Sequence, residues 1–351
     1  MNSLVQINKN FDFHGTLLNW YDTHRRVLPW RALAGEKSDP YKVWLSEIML
    51  QQTTVATVKS YFEKFTQIWP TVHDLANADL DDVLAAWAGL GYYARARNLH
   101  ACANVVATEY DGQFPSDEKL LLKLPGIGPY TCGAISAIAF DKPFAAVDGN
   151  VDRVLSRFYA ITEPLPASKP EIRQRADALM QSHRAGDFVQ SLMDLGAMVC
   201  TPRTANCNLC PLAEACQGLA LGIANELPKK QRKKPRPTRY GTAFVVQRGD
   251  GAVLLRKRPA KGLLGAMLEV PSTPWIEEVE RETIGLRTVE HTFTHFHLVL
   301  DVVIVQDIER AQERPKSSEI WVDVDHLSSS ALPTIMKKVL AKALGPDALK
   351  V

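Results

Sequence analysis

Four cysteines fall in the run CTPRTANCNLCPLAEAC, at Cys200, Cys207, Cys210 and Cys216. The spacing C-x6-C-x2-C-x5-C lets four thiolates close around one soft-metal centre. It favours a [4Fe–4S] cluster. Zinc is the structural alternative, although its four-cysteine sites usually come as two separated C-x2-C pairs. Arg203 is the only basic residue beside this loop, which does not by itself make the loop a DNA contact. Two carboxylates are placed where chemistry could use them. Glu47 stands among Trp44, Leu45, Ile48, Met49 and Leu50. A carboxylic acid in apolar surroundings has a raised pKa and suits general-acid work. Taken alone, the pattern favours an exposed Glu on an amphipathic helix. Asp148 precedes Gly149, Asn150 and a helical run. It reads as an N-cap, a place that also favours an ionised carboxylate. In LPGIGPYTCG (124–133), Gly126 and Gly128 permit a tight turn with positive φ and close backbone approach. Such a turn, opening into a helix, can hold a phosphate on its N–H groups, or be an ordinary helix-to-helix turn. It is not a P-loop, because no Gly-Lys-Ser/Thr follows.

The elements that must position these groups are mostly helices. From about residue 10 to 225 apolar residues recur at three- and four-residue spacing, and the stretches end at Gly or Pro. TVHDLANADLDDVLAAWAGLG predicts two short helices broken near Asn77, RNLHACANVVATEYDG a helix closed by Gly112, and SDEKLLLKL a helix capped by Ser116. Residues 226–239, ELPKKQRKKPRPTR, crowd seven basic residues among three prolines. This predicts an extended basic linker, either a solvated tether or one lying along phosphates. Beyond it the period becomes two. GTAFVVQ, the turn RGDG and AVLLRKR predict a β-hairpin, HFHLVLDVVIV and EIWVDV further strands, and LPTIMKKVLAKAL a closing helix with Pro333 near its first turn. The chain is thus expected to be multidomain: an all-α domain at 10–225 carrying the cysteine loop at 200–216, the linker at 226–239, and an α+β domain at 240–347.

Composition is that of an ordinary globular protein, 46% hydrophobic and 23% charged, and the net charge of +2 announces no nucleic-acid partner. No apolar run is long enough to span a bilayer, and no secretory signal pattern opens the chain. With the clustered cysteines this points to a reducing, cytoplasmic interior rather than a disulfide framework.

Taken in order, LPGIGPYT, VDGNVDRV (147–154) and the cysteine run resemble the helix-hairpin-helix DNA glycosylases that carry an iron–sulfur cluster. WLSEIMLQQTT (44–54) and GLGYYARARNLH (89–100) narrow the resemblance to the adenine DNA glycosylase (MutY) family, and it covers nearly the whole chain. The resemblance implies a monofunctional N-glycosyl hydrolase of base excision repair, acting as a monomer on double-stranded DNA. It would flip out and remove adenine mispaired with 8-oxoguanine or guanine. By the same resemblance Glu47 protonates adenine N7, Asp148 stabilises the sugar cation or attacks its C1′, and Asn150 supports them, a logic shared with glycosidases. Arg26, Trp30 and Arg31 match residues in or near the adenine pocket, where Gln190 stands at a position that is acidic in some relatives. Gln52 and Tyr92 match the wedge beside the opposite 8-oxoguanine; Tyr92 alone would read as a core aromatic. Arg95 and Arg97 are either phosphate contacts or solvated arginines. Gly126 and Gly128 would meet a DNA phosphate, with a cation bridging hairpin carbonyls. Tyr130 stands where glycosylase/lyases carry the Schiff-base lysine, so strong lyase activity is not expected.

The second domain resembles a Nudix fold. KGLLGAMLEVPS matches its start up to Glu269, and VERETIGL offers Arg281-Glu282 without the Glu pair a working hydrolase needs, so no pyrophosphatase activity is expected. The resemblance assigns 8-oxoguanine recognition to a loop matching HTFTHFH, through Phe293, Thr294 and His295; many relatives have Ser where this chain has Thr294. On pattern alone these residues read as a strand of alternating exposure. Rival readings are an endonuclease III-like glycosylase/lyase, a non-catalytic DNA-binding or redox protein, and a Nudix hydrolase.

Overall fold

The computed structural model describes residues 11–33, 35–231, 235–277, 287–305, 317–328 and 330–349. Two compact units form, one drawn from Met1–Ala76 and Ala101–Lys233, the other from Asn77–His100 and Lys234–Val351. Among the described residues no helix is long and apolar enough to cross a membrane.

The first unit is helical. It contains α1 (Phe13–His24), α2 (Pro40–Leu50), α3 (Val55–Ile68) and, but for its last residue, α4 (Val72–Asn77). After α5 (Leu80–Ala86) and α6 (Ala94–Glu109) the unit continues with α7 (Glu118–Leu121), α8 (Pro129–Phe140), α9 (Gly149–Phe158), α10 (Lys169–Leu179), α11 (Ala185–Met198) and α12 (Gln217–Ala220). The break after Asn77 and the close at Gly112, which takes φ +74°, follow the sequence pattern. The cap of α7 does not: Asp117, not Ser116, accepts from Leu120 N at 3.1 Å. The Asp117 carboxylate, one atom longer than a serine hydroxyl and one residue on, reaches the free N–H, and Ser116 Oγ instead meets Lys142 Nζ at 3.2 Å.

Helix α8 organises this unit. Its sequence PYTCGAISAIAF is apolar or small on every face, and Thr131 through Ala137 are all buried. A helix without a polar face must sit inside a protein. Helices α2 and α11 pack against it, and α11 also packs on α1 and α9. Leu17, Ala134, Leu155, Ile172, Phe188 and Leu195 form the dry centre of the core. The small residues of α8 let the neighbouring backbones come close, so residues on α2, α8, α9 and α11 meet around one space.

The second unit has two three-stranded sheets. In one, β1 (Thr238–Val246) runs parallel to β5 (His297–Val305), which pairs antiparallel with β4 (Thr288–Thr292). In the other, β2 (Val253–Lys257) lies between β3 (Leu268–Glu269) and β6 (Glu319–Val322). The C-terminal helix α13 (Thr334–Leu344), with Pro333 as its N-cap, packs Ile335, Met336, Val339 and Leu340 into the core of strand residues. The expected hairpin from GTAFVVQ to AVLLRKR forms only at its turn. Arg248 N donates to Ala252 O at 2.8 Å, but β1 and β2 then part into different sheets. Arg281 and Glu282 lie outside the described residues. Of the basic linker segment, Lys230 bridges to Leu165 and Arg239 already belongs to β1.

Candidate active site

A cavity of about 780 Å³ opens in the helical unit between α2, α8, α9 and α11. Its rim carries the exposed Gln52, Gly126 and Pro129, and its depth carries the buried Trp30, Glu47 and Gln190. The hairpin glycines have separate tasks. Gly126 supplies the left-handed turn, with φ +78°. Gly128 has φ −98°, a conformation open to any residue, and caps α8 from an extended backbone. The expectation that both glycines serve positive φ therefore holds for Gly126 alone. A side chain added at Gly128 would meet nothing within 4 Å, so that stretch of backbone faces open space.

Glu47 comes from the buried face of α2. The Tyr130 phenol, from the first turn of α8, donates to Glu47 Oε2 at 2.6 Å. Burial pushes the Glu47 carboxyl up to about 7. The nearby Asp148 charge adds to the rise, while the Tyr130 hydrogen bond and Arg31 oppose it. Burial and the Glu47 charge in turn hold the Tyr130 phenol well above its usual range. Glu47 thus sits near neutrality at its midpoint, where an acid delivers its proton most effectively.

Asp148 is the N-cap of α9. Its Oδ1 accepts from Asn150 N and Val151 N, both at 2.8 Å, and its Oδ2 accepts from Asn150 Nδ2 at 2.7 Å. Asn150 is fixed from behind, because its Oδ1 accepts from Arg153 Nη2 at 2.9 Å. Arg153 also donates through Nε to Cys200 O at 2.6 Å. A continuous chain of hydrogen bonds therefore runs from the carboxylate to the cysteine loop. Its geometry depends on Gly196 of α11, where an added Cβ would come within 2.6 Å of Asn150 Cβ and 3.0 Å of its Cα. Gly196→Ala should therefore displace Asn150 and lower the rate of the step that Asp148 serves by about 10²-fold, since a misplacement of about 1 Å has that effect on a reacting group. Single-turnover kinetics, beside the thermal melt, checks this.

Arg26 and Arg31 do not point free charges into the cavity. Both bind Asp194: Arg31 through Nη1 and Nη2 at 2.7 and 2.8 Å, and Arg26 through Nε at 2.6 Å and its backbone N at 3.0 Å. Burial alone would push Asp194 up, but the Arg31 and Arg26 contacts outweigh it and hold the carboxyl below its usual range. Breaking such a pair strands a buried charge, at about 3–5 kcal/mol. Trp30 packs edge-on against Phe62 at 5.5 Å. Gln190 Nε2 donates to Gly186 O at 3.2 Å. Asp194 carried no signal in the sequence. It sits in an apolar helical run, and only the fold brings it under Arg26 and Arg31.

The four cysteines line one small cavity with Arg157, Val199, Leu219 and Ala224. Among the described residues no three His, Cys, Asp or Glu side chains are grouped so as to hold a single metal ion. Burial pushes the Cys210 thiol up to about 12 and raises Cys216 as well, so thiolates here require a compensating positive centre. Arg157, 1% exposed, supplies part of it, donating through Nη1 to Cys200 Sγ at 3.3 Å and to Thr201 O at 2.8 Å. The donor set and the buried guanidinium fit a negatively charged thiolate-bound group. Arg157 comes from α9 and was invisible in the spacing of the loop.

In the second unit Tyr92 is 46% exposed and adopts φ +49° after Gly91 at φ +69°. Its OH lies 2.9 Å from Thr294 Oγ1. Phe293, Thr294 and His295 form the loop between β4 and β5, not a strand, because Phe293 N turns back to Phe296 O at 2.9 Å. Thr294 and His295 are exposed, whereas Phe293 packs on Trp275 and Phe296. Arg95 is buried, donates to Leu90 O and Gly91 O, and lies over the Trp87 and Tyr92 rings. Its guanidinium braces the turn that carries Tyr92. Arg97 donates to Gly265 O at 2.6 Å.

A hairpin opening into α8, a capped carboxylate on α9 and a cysteine loop behind it define a base-excision enzyme of the helix-hairpin-helix kind. The model of the HhH-GPD superfamily of base excision DNA repair proteins matches residues 45–181, and that of the NUDIX domain matches residues 242–342. An adenine DNA glycosylase of Homo sapiens is 35% identical over 93% of this chain and 73% of its own length. That of Buchnera aphidicola is 32% identical over 93% of this chain and 97% of its own. The solved structure of a thermostable thymine-DNA glycosylase superimposes with a TM-score of 0.53, at 32% identity, over 60% of this chain and 95% of that one. The chain belongs to the adenine DNA glycosylase family.

Proposed function

We propose that the protein excises adenine paired with 8-oxoguanine or guanine in double-stranded DNA, by hydrolysis and without cutting the strand. The observation that carries the reading is Glu47, buried, near-neutral in pKa and bonded to Tyr130, in the cavity that also holds the N-capping Asp148. Adenine flipped into the cavity meets the Glu47 carboxyl, which gives its proton to N7. The base then becomes a better leaving group, and the C1′–N9 bond breaks. The Asp148 carboxylate, fixed by Asn150 and the α9 N-terminus, opposes the positive charge that develops on the sugar. Water completes the sugar as an abasic site. Arg26, Trp30, Arg31 and Gln190 shape the base pocket, while Gly126 and Gly128 present backbone to a phosphate and to a bridging cation. Gln52 and Tyr92 fill the opened stack, and Phe293, Thr294 and His295 read the 8-oxoguanine.

Cys200, Cys207, Cys210 and Cys216 would hold a [4Fe–4S] cluster, whose bound form stiffens the loop behind Arg153. The single C-x6-C-x2-C-x5-C run, in place of two separated C-x2-C pairs, favours the cluster over zinc. The lyase reading is disfavoured because no lysine is among the described residues that line the cavity, and the Tyr130 phenol is engaged with Glu47.

A duplex containing one adenine opposite 8-oxoguanine tests the reading. Incubation followed by alkali should cleave the strand at the adenine. Absence of cleavage after alkali overturns the proposal. Cleavage without alkali, trapped by borohydride, would assign a lyase instead.

A further inference from the structure

A second cavity, of about 1090 Å³, lies in the same helical unit behind the first. The two share two lining residues, Ile138 of α8 and Gln190 of α11. The α8 and α11 backbones meet closely one turn before Gln190, where a Cβ on Gly186 would lie 2.7 Å from Ala137 O. Beside that crossing, Ile138 and Gln190 are the residues that face both cavities. Ile138 is half-buried, and Gln190 is held by the one 3.2 Å bond to Gly186 O. Both can change rotamer without unfolding either helix.

The two mouths differ in charge. The first opens at the hairpin, beside exposed backbone. The second is lined by Asp22, Glu36, Asp141 and Asp187 against Arg25, Lys37 and Arg184. Arg184 is already spent on Asp22 and Asp187. A mouth of this balance lacks the net positive charge that would draw a phosphate backbone over it. Its apolar lining, Tyr21, Leu33 and Phe140 beside these polar groups, suits a neutral planar base with hydrogen-bonding edges.

We propose that the second cavity is the outlet for the excised base: free adenine leaves between Ile138 and Gln190 while the abasic duplex still covers the front mouth. This rests on the adenine-excising reading above. Under it, base and abasic site are separate molecules once the C1′–N9 bond has broken, and the base would otherwise be trapped beneath the DNA.

The test uses full-length protein in excess over a duplex with radiolabelled adenine opposite 8-oxoguanine. Filtration retains protein-bound DNA and passes free adenine; alkali scores abasic sites in the same samples. In the wild type, adenine should reach the filtrate at the rate of abasic-site formation while the duplex stays on the filter. Ala139→Trp puts bulk into the second cavity alone, since Ala139 lines that cavity and not the first. It should form abasic sites at the wild-type rate yet release adenine at least tenfold more slowly, together with the duplex. Ser38→Trp, at the outer part of the same cavity, should do likewise and serves if Ala139→Trp fails to form abasic sites. Wild-type adenine that leaves only with the duplex, or a folded, active variant that releases it at the wild-type rate, overturns the outlet. A wild type that makes no abasic sites defeats the adenine-excising reading instead.

Discussion

Glu47→Gln should lower single-turnover adenine excision by about 10²–10⁴-fold while binding to an adenine:8-oxoguanine duplex survives, because the amide keeps the shape of the acid but has no proton to give. Asp148→Asn should lower excision over a similar range for the opposite reason, since it removes the negative charge facing the sugar and keeps the α9 cap. The two losses are separable by pH. Glu47 must be protonated to act, and its midpoint lies at about 7. The wild-type excision rate should therefore fall tenfold per pH unit once pH is well above 7. Asp148→Asn should retain that fall in whatever activity remains, and Glu47→Gln should lose it. A Glu47→Gln variant with wild-type single-turnover rate would remove Glu47 from the reaction.

The same substitution should make the protein more stable in mildly alkaline solution. Burial raises the folded-state pKa of Glu47 from 4.5 to about 7. Below about pH 4.5 the carboxyl is neutral in both folded and unfolded chains and costs nothing. Between 4.5 and 7 the unfolded chain loses its proton first, so folded stability declines as pH rises. Above 7 the full difference applies, about 3 kcal/mol at about 1.4 kcal/mol per pH unit. Glutamine has no such term. The stability of Glu47→Gln relative to wild type should thus grow by about 2 kcal/mol between pH 5.5 and 8.5. Urea unfolding of both proteins at the two pH values measures it. A difference that does not change with pH would mean that Glu47 is ionised in the fold at both values.

Much of the site was readable because its residues lie in short contiguous runs. LPGIGPYT carries the hairpin and Tyr130, and VDGNVDRV carries Asp148, its Asn150 partner and the start of α9. Local pattern did not suffice for the Glu47 environment, since a Glu among apolar helical neighbours also fits an exposed position; its burial came with the packing of α2 against α8. What the sequence could not show depends on helices meeting. Asp194 lies in α11, far along the chain from Arg26 and Arg31, and nothing in LMDLGAM distinguishes an ion-pairing aspartate from a solvated one. Arg157 is in the same position with respect to the cysteines. The cap at Asp117 and the parting of β1 from β2 were missed for a different reason. Adjacent polar residues compete for one free N–H, and strand pattern alone does not say which neighbour a strand will pair with.

Gln52 and Tyr92 share one backbone feature: each is a non-glycine residue in the left-handed region, at φ +59° and +49°. For most side chains other than glycine that conformation costs about 1–2 kcal/mol. Under the proposed function the amide and the phenol are held there to meet the opened stack, and an engineer who ranked substitutions by backbone strain alone would be led to erase both.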